Sequence, residues 1–235
     1  MSLPNWLPEI PAERRVADPR DYSSRSIPLS YIVCHTTGSG VIAQAQAAGK
    51  TAPHDIARFA CEFYARGGNN VSTHLLVDWE GLVWQILPLN VDGWHSGWDA
   101  QQKTLYASDA WQQWSHPVNG NMGKYAPVGD YATWKSLFPG KTSPAQLLPA
   151  GATSPNKGSI SIDLLACPYG KTWTPEQVTA FKQLVASIKT QAAIAHVYPH
   201  SYLDPITRMT QTVRGQIIEK TWDPPEWEVA LKSGI

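Results

Sequence analysis

The sequence of 235 residues has little cysteine, no excess of charge of either sign and no long apolar run. Its three cysteines form an odd set without close spacing, which provides neither a disulfide framework nor a four-thiolate zinc site. Basic and acidic residues each number 19, and a net charge of zero argues against nucleic acid as a partner. Because no stretch of about 18 apolar residues occurs, we expect no membrane insertion.

The first residues also lack the pattern of a secretory signal. MSLPNWLPEIPAERR has no basic segment followed by an apolar one. We therefore expect synthesis in the cytoplasm without Sec export, so that action outside the cytoplasm would require lysis or a secretion system. Nothing in the composition indicates an oligomeric state.

The composition is that of a folded protein rich in tryptophan. Hydrophobic residues make up 43% of the chain, which excludes disorder, and 11 tryptophans stand against 4 phenylalanines. Exposed tryptophan can stack on the flat faces of sugars or bases, while core packing is the expected role of about half of these side chains.

The apolar periodicity predicts an α/β (α+β) domain. Buried strands are expected at residues 30–36 and 159–165, and two extended runs flank a turn at residues 79–81, which predicts a β-hairpin. An amphipathic helix is expected at residues 55–66, and a second helix begins at Thr174 with a capping-box pattern.

Two segments lack such periodicity. Residues 1–29 are rich in proline and charge, and they predict an irregular N-terminal arm. Residues 99–157 predict an insertion, for which a lid over a substrate groove is one interpretation because loops of this length are usually functional or disordered.

Polar residues at strand ends and in proline-punctuated loops are the candidates for chemistry. His35 lies at the end of the first predicted strand. Asp163 is an acid inside an apolar strand, where a carboxylate is rarely buried without a structural or functional role. A catalytic zinc takes three protein ligands and leaves a fourth position to water. Sequence spacing alone does not decide whether a zinc site is present, since no pair of histidines lies close together on a helix.

Six motifs occur in one order along the chain. They are YIVCHTTG at His35, STHLLVDWEGLVWQILP, WHSG at Trp94, SISIDL at Asp163, HSYLDP at His200 and KTWDPP at Lys220. This order resembles the zinc-dependent N-acetylmuramoyl-L-alanine amidase family, which includes phage lysozyme-amidases, cell-wall recycling amidases and peptidoglycan recognition proteins. The resemblance covers most of residues 30–98 and 158–227.

The resemblance implies a central mixed β-sheet flanked by helices, one Zn²⁺ ion and a substrate of peptidoglycan or muropeptides. The implied reaction is hydrolysis of the amide between N-acetylmuramic acid and L-alanine. Residues 30–235 would then form the catalytic domain, interrupted by the insertion at about 99–157.

The resemblance also assigns the metal ligands. His35 matches the first histidine, His200 matches the second through the following Leu203 and Pro205, and Asp223 matches the third ligand. His196, four residues before His200, is the weaker alternative for the second position.

Two further residues match catalytic positions. Asp163 lies where active members carry a glutamate or another polar residue, and it would act as general base and then general acid. Lys220 matches the lysine that stabilises the oxyanion. Because one additional residue separates this lysine from the metal ligand, Arg208 or Arg214 is an alternative source of the charge.

The expected substrate contacts are His95 in the WHSG motif, its neighbours Trp94 and Trp98, and His74 on the hairpin. Core packing is the alternative for each of them.

Two other functions stay open at this point. A non-catalytic peptidoglycan-binding module could share the fold, although members of that kind lack the third metal ligand. A cysteine hydrolase would use Cys34 or Cys167 with a histidine, but Cys34 would point to the strand face opposite His35.

Overall fold

A computed structural model gives the fold of the chain. It describes residues 5–16, 19–37, 39–68, 70–98, 100–109, 111, 134–165, 173–205, 210–213 and 216–219. The chain divides into two compact units. The sheet unit comprises Met1–His95, Asn156–Val197 and Pro224–Ile235, and the second unit comprises Ser96–Pro155 and Tyr198–Asp223.

Nine strands and five helices can be given bounds in the described residues. The strands are β1 (Tyr22–Ser24), β2 (Tyr31–Thr37), β3 (Leu75–Val77), β4 (Val83–Gln85), β5 (Val91–Gly93), β6 (Ser159–Leu165), β7 (His196–Pro199), β8 (Thr210–Val213) and β9 (Gln216–Glu219). The helices are α1 (Ser39–Ala47), α2 (Pro53–Ala65), α3 (Ala100–Tyr106), α4 (Pro175–Gln191) and α5 (His200–Leu203). None of these helices combines the length and the apolarity needed to cross a membrane.

A five-stranded mixed sheet in the order β4-β3-β6-β2-β7 forms the centre of the sheet unit. β6 runs parallel to both β2 and β3, whereas β3 and β4 form the antiparallel hairpin that the sequence predicts. The pairing of β2 with β6 is continuous from Tyr31–Ser159 to Thr37–Leu165. This confirms the expected fold class of a mixed sheet flanked by helices.

The two faces of the sheet bury different side chains. One face packs Cys34 and Ile162 against α4 residues such as Phe181 in an apolar cluster. The other face packs Leu76 against α1 and α2 and also carries His35. Because side chains alternate along a strand, Cys34 points away from His35, as predicted, and it is buried in the apolar cluster.

The predicted capping box begins α4. The Thr174 hydroxyl accepts a hydrogen bond from the Gln177 backbone N–H at 3.1 Å, and the Gln177 side chain accepts one from the Thr174 N–H at 3.1 Å. The Thr174 hydroxyl also donates to the Trp79 carbonyl at 2.8 Å. These contacts fix the start of α4 against the hairpin turn.

The N-terminal arm is more regular than its composition predicts. β1 pairs antiparallel with β5, and a short 3-10 helix spans Ala12–Arg14. Leu7 and Ile10 are buried in the apolar cluster on the α4 face. The arm is therefore part of the sheet unit's core.

The second unit contains the tryptophans of the predicted insertion. Trp111 and Trp134 are completely buried and pack edge to face, with ring centroids 5.5 Å apart. These two side chains form core, so they do not line a substrate groove as the lid interpretation requires. Trp114, the third tryptophan of the predicted insertion, lies outside the described residues.

We expect Thr174→Ala to lower the free energy of unfolding by about 1–2 kcal/mol, because it leaves the Gln177 N–H without its cap. Thr179→Ala is the matched control on the exposed side of α4, with an expected change within about 0.5 kcal/mol. Urea denaturation measures both. Equal stability of the two variants would contradict the importance of the cap.

Candidate active site

Alternate residues of β6 carry polar side chains to one face of the sheet. Ser159, Ser161 and Asp163 are spaced two apart, so they point to the same side, and Asp163 is directly paired with His35 of β2. His35 and Asp163 are therefore neighbours on adjacent parallel strands. All four residues are buried.

His95 connects this row to His35. Its Nδ1 lies 3.0 Å from Nε2 of His35, and its Nε2 lies 2.9 Å from the hydroxyl of Ser159. The two imidazole rings meet edge to face, with an interplanar angle of 77°. Three buried side chains thus form a continuous series of hydrogen bonds from Ser159 of β6 through His95 to His35 of β2.

His74 makes a second histidine–serine contact, with Ser161, two residues after Ser159 on β6. Its Nδ1 accepts from the Ser161 backbone N–H at 3.1 Å, and its Nε2 donates to the Val91 carbonyl at 3.1 Å. Since these backbone groups have fixed roles, His74 is the neutral ring with its proton on Nε2. It is completely buried, so this placement does not support direct contact with substrate.

Gly93 makes room for this ring. A Cβ atom at position 93 would lie 3.0 Å from Cε1 of His74 and 2.9 Å from a methyl carbon of Leu87. The glycine that precedes the WH pair thus lets β5 approach the His74 ring closely.

Burial determines the charge of these histidines. Burial lowers the pKa of His74 to about 3, with a further contribution from Arg25. Burial also holds the pKa of His95 well below its ordinary value, followed by the effects of His35, His74 and Arg25. Both rings are therefore neutral at physiological pH.

A buried ion-pair network anchors the start of β6. Arg25 lies 3.0 Å from Asp92 and donates to the Ser159 carbonyl at 3.1 Å. Lys157 lies 3.3 Å from the same carboxylate, and the Gly158 N–H donates to it. This network holds the segment that presents the Ser159 hydroxyl to His95.

The charge of the buried Asp163 affects two buried side chains of α2. The pKa of the Tyr64 phenol is raised well above its ordinary value, first by burial and then by the charge of Asp163. Burial likewise raises the pKa of the Cys61 thiol, and Asp163 contributes to this shift. Both groups therefore stay neutral at physiological pH.

The two tryptophans of the WHSG region have different surroundings. Trp94, in the sheet unit, has 37% of its surface exposed and is available to a ligand. Trp98, in the second unit, is buried, packs 5.0 Å from the ring of Tyr106 and donates its N–H to the Leu203 carbonyl at 3.1 Å. Trp98 therefore packs as core and is not a surface for a sugar ring.

His200 begins α5 in the second unit, and it is buried. Aromatic side chains hold this short helix, because Trp134 donates to the Tyr202 carbonyl at 2.8 Å and Trp98 donates to that of Leu203. Asp204, directly after α5, accepts from the Tyr106 hydroxyl at 2.6 Å. The buried tryptophans of this unit thus position the segment that carries His200. The alternative, His196, is exposed at the start of β7.

Of the predicted metal ligands, the structure describes His35 and His200. Asp223 and Lys220 lie outside the described residues, as do Arg208, Arg214 and Cys167. Within the described ranges, no group of three or more His, Cys, Asp or Glu side chains is arranged to hold a metal ion. The His35 ring is compatible with a metal through Nδ1, because its Nε2 contacts His95.

Sequence reasoning missed Ser159 and the inward direction of His95. The alternation in SISID indicates that Ser159 shares a face with Asp163, and this signal was available. Nothing in the local sequence shows that Trp94 turns outward while His95 turns inward.

A model of the N-acetylmuramoyl-L-alanine amidase family matches residues 25–225. The match extends over most of the chain, and the chain belongs to this family. No curated protein matches the sequence.

Solved structures give weaker likenesses. The chain is similar to a selenomethionine derivative of AmpD, with 19% identity over 98% of this chain and 99% of that chain and a TM-score of 0.46. It is also similar to the Drosophila peptidoglycan recognition protein (PGRP)-SA, with 12% identity over 83% and 77% of the two chains and a TM-score of 0.38. The endolysin of Thermus scotoductus MAT2119 bacteriophage Ph2119 has 18% identity over 91% and 89%, with a TM-score of 0.38. At these scores, the likenesses add no argument to the family match.

We expect the His74 ring to remain neutral, with its proton on Nε2, when the pH falls from 8 to 5. The unfolded chain takes up a proton at this ring near pH 6.5 and the folded chain only near pH 3, so its contribution to stability is complete above pH 6.5 and is lost towards pH 3. Proton–nitrogen NMR of the ring measures its protonation state and tautomer over this pH range. Titration of His74 near its ordinary pKa of 6.5 would contradict the buried assignment.

Proposed function

We propose that the protein is a zinc-dependent peptidoglycan hydrolase. It cleaves the amide between N-acetylmuramic acid and the L-alanine of the stem peptide. The observation that carries this proposal is the pairing of His35 with Asp163 on adjacent parallel strands, in a chain that belongs to the amidase family. A potential metal ligand and a potential proton acceptor are neighbours on one buried face.

His35, His200 and Asp223 would hold the zinc ion. Two imidazoles and a carboxylate are a donor set that zinc takes in catalytic sites. When bound, zinc polarises the carbonyl of the amide and lowers the pKa of water. The contact between His35 Nε2 and His95 supports binding through Nδ1 of His35.

Asp163 moves the proton. Its carboxylate accepts a proton from the water whose oxygen attacks the carbonyl carbon, and it returns that proton to the alanine nitrogen as the carbon–nitrogen bond breaks. Lys220 stabilises the negative charge that develops on the carbonyl oxygen. Arg208 or Arg214 is the alternative cation for this role.

Trp94 is the proposed sugar contact. Its exposed indole can stack on a flat sugar face, whereas the burial of Trp98 favours a packing role for that residue. Substrate binding then involves the exposed side of the WHSG segment, and His95 lies beneath it.

A matched digestion of purified sacculi by wild type, Asp223→Ala and Asp163→Asn tests the function. We expect wild type to carry about one zinc ion and to release stem peptides with a free L-alanine amine. Asp223→Ala should lose both metal and activity. Asp163→Asn should keep its zinc but lose about 100-fold or more in rate, because it removes the proton acceptor.

Metal analysis and mass spectrometry of the products provide the two readouts. A wild-type protein that carries no zinc and only binds sacculi would show a non-catalytic binding module instead. Full activity of Asp163→Asn would exclude this carboxylate as the proton carrier.

Trp94→Ala should raise KM for a soluble muropeptide about fivefold and leave kcat nearly unchanged, because an aromatic contact contributes about 1 kcal/mol to binding. Trp94→Phe keeps a flat ring and should restore most of the affinity. Steady-state kinetics of both variants decide the point. An unchanged KM for Trp94→Ala would remove this residue from the binding site.

A further inference from the structure

We propose that His95 and Ser159 are positioning residues that orient His35 and fix its tautomer for metal binding. This inference rests on the proposed function, since it concerns the same zinc ligand. It replaces the predicted role of His95 as a substrate contact, because the ring is buried and its two nitrogens lie within hydrogen-bond distance of protein side chains.

The tautomer of His35 follows from the hydrogen bonds that connect His35, His95 and Ser159. A metal bound at Nδ1 of His35 requires a lone pair there, so the His35 proton lies on Nε2. That Nε2–H donates to Nδ1 of His95, which leaves the proton of the neutral His95 ring on Nε2, from where it donates to the Ser159 hydroxyl oxygen. Reversal of these bonds would put the His35 proton on the nitrogen that must bind the metal.

Further hydrogen bonds within the sheet unit hold both His95 and Ser159 in place. The His95 N–H donates to the Asn156 side-chain oxygen at 3.0 Å, and Arg25 donates to the Ser159 carbonyl at 3.1 Å. Because the rings and the hydroxyl are buried, water has little access to replace a missing member. The position and the protonation of His35 thus depend on residues that do not touch the metal.

The Ser161–His74 pair is a built-in comparison. It lies on the same face of the same strand and has a similar serine–histidine contact at 3.0 Å. The hydrogen bonds of this pair lead to the Val91 carbonyl and not to a proposed metal ligand. Disruption of either pair should therefore disturb packing, but only disruption of the Ser159–His95 pair should lower metal affinity.

The test uses His95→Gln, His95→Asn and Ser159→Ala in the full chain, with Ser161→Ala as the matched control. Asn places an amide near the position of Nδ1 and keeps a group facing His35, whereas Gln places it near Nε2 and faces Ser159. We expect zinc affinity, measured by chelator competition, to fall about 10–100-fold in His95→Gln. His95→Asn should recover most of this loss, Ser159→Ala should weaken zinc binding, and Ser161→Ala should bind zinc as wild type does.

Two further readouts separate positioning from stability. The absorption spectrum of bound Co²⁺ should change in His95→Gln and Ser159→Ala but not in Ser161→Ala, because only the first two alter the geometry of His35. Thermal unfolding of the metal-free proteins shows the loss of packing in each variant.

The outcomes distinguish the two proposals. If wild type binds no zinc, the proposed function itself fails. If wild type binds zinc and Ser159→Ala and both His95 variants bind it equally well with unchanged Co²⁺ spectra, the positioning role is overturned. If His95→Gln does not fold, the comparison of Ser159→Ala with Ser161→Ala gives the same decision.

Discussion

The parallel pairing of β2 with β6 is the constraint on which the candidate site depends. The two strands pair residue by residue over seven positions, and this register places His35 beside Asp163. A slip of one residue would exchange the faces of an entire strand and bring an isoleucine or a leucine to the position of the carboxylate. The apolar packing of Ile162 and Cys34 against α4 opposes that slip, so hydrophobic burial on one face fixes the chemistry on the other.

Polar side chains on the sheet face that carries His35 and Asp163 lose their hydration on burial, and hydrogen bonds offset this loss of free energy. Ser159 and Ser161 each bond a histidine, and the Arg25–Asp92 pair holds the start of β6. An unpaired polar group in such a place would cost about 1–3 kcal/mol, so the network also makes the arrangement specific. The same burial keeps the His74 and His95 rings neutral, which suits them to transmit orientation and not charge.

Much of the sheet unit could be predicted from the sequence, because its signals are local. The alternation around Asp163, the hairpin turn and the capping box at Thr174 each specify a structure within a few residues. Helix α1 was not predicted, since its alanines and glutamines give a weak apolar stripe. The directions of Trp94 and Trp98 could not be predicted either, because tertiary packing alone decides which indole is buried.

A crystal structure of the zinc-loaded protein with anomalous data at the zinc edge tests the central claim most directly. We expect one zinc peak about 2.0–2.1 Å from Nδ1 of His35, with Nε2 of that ring still in contact with His95. A peak at Nε2, or no peak within bonding distance of His35, would contradict it.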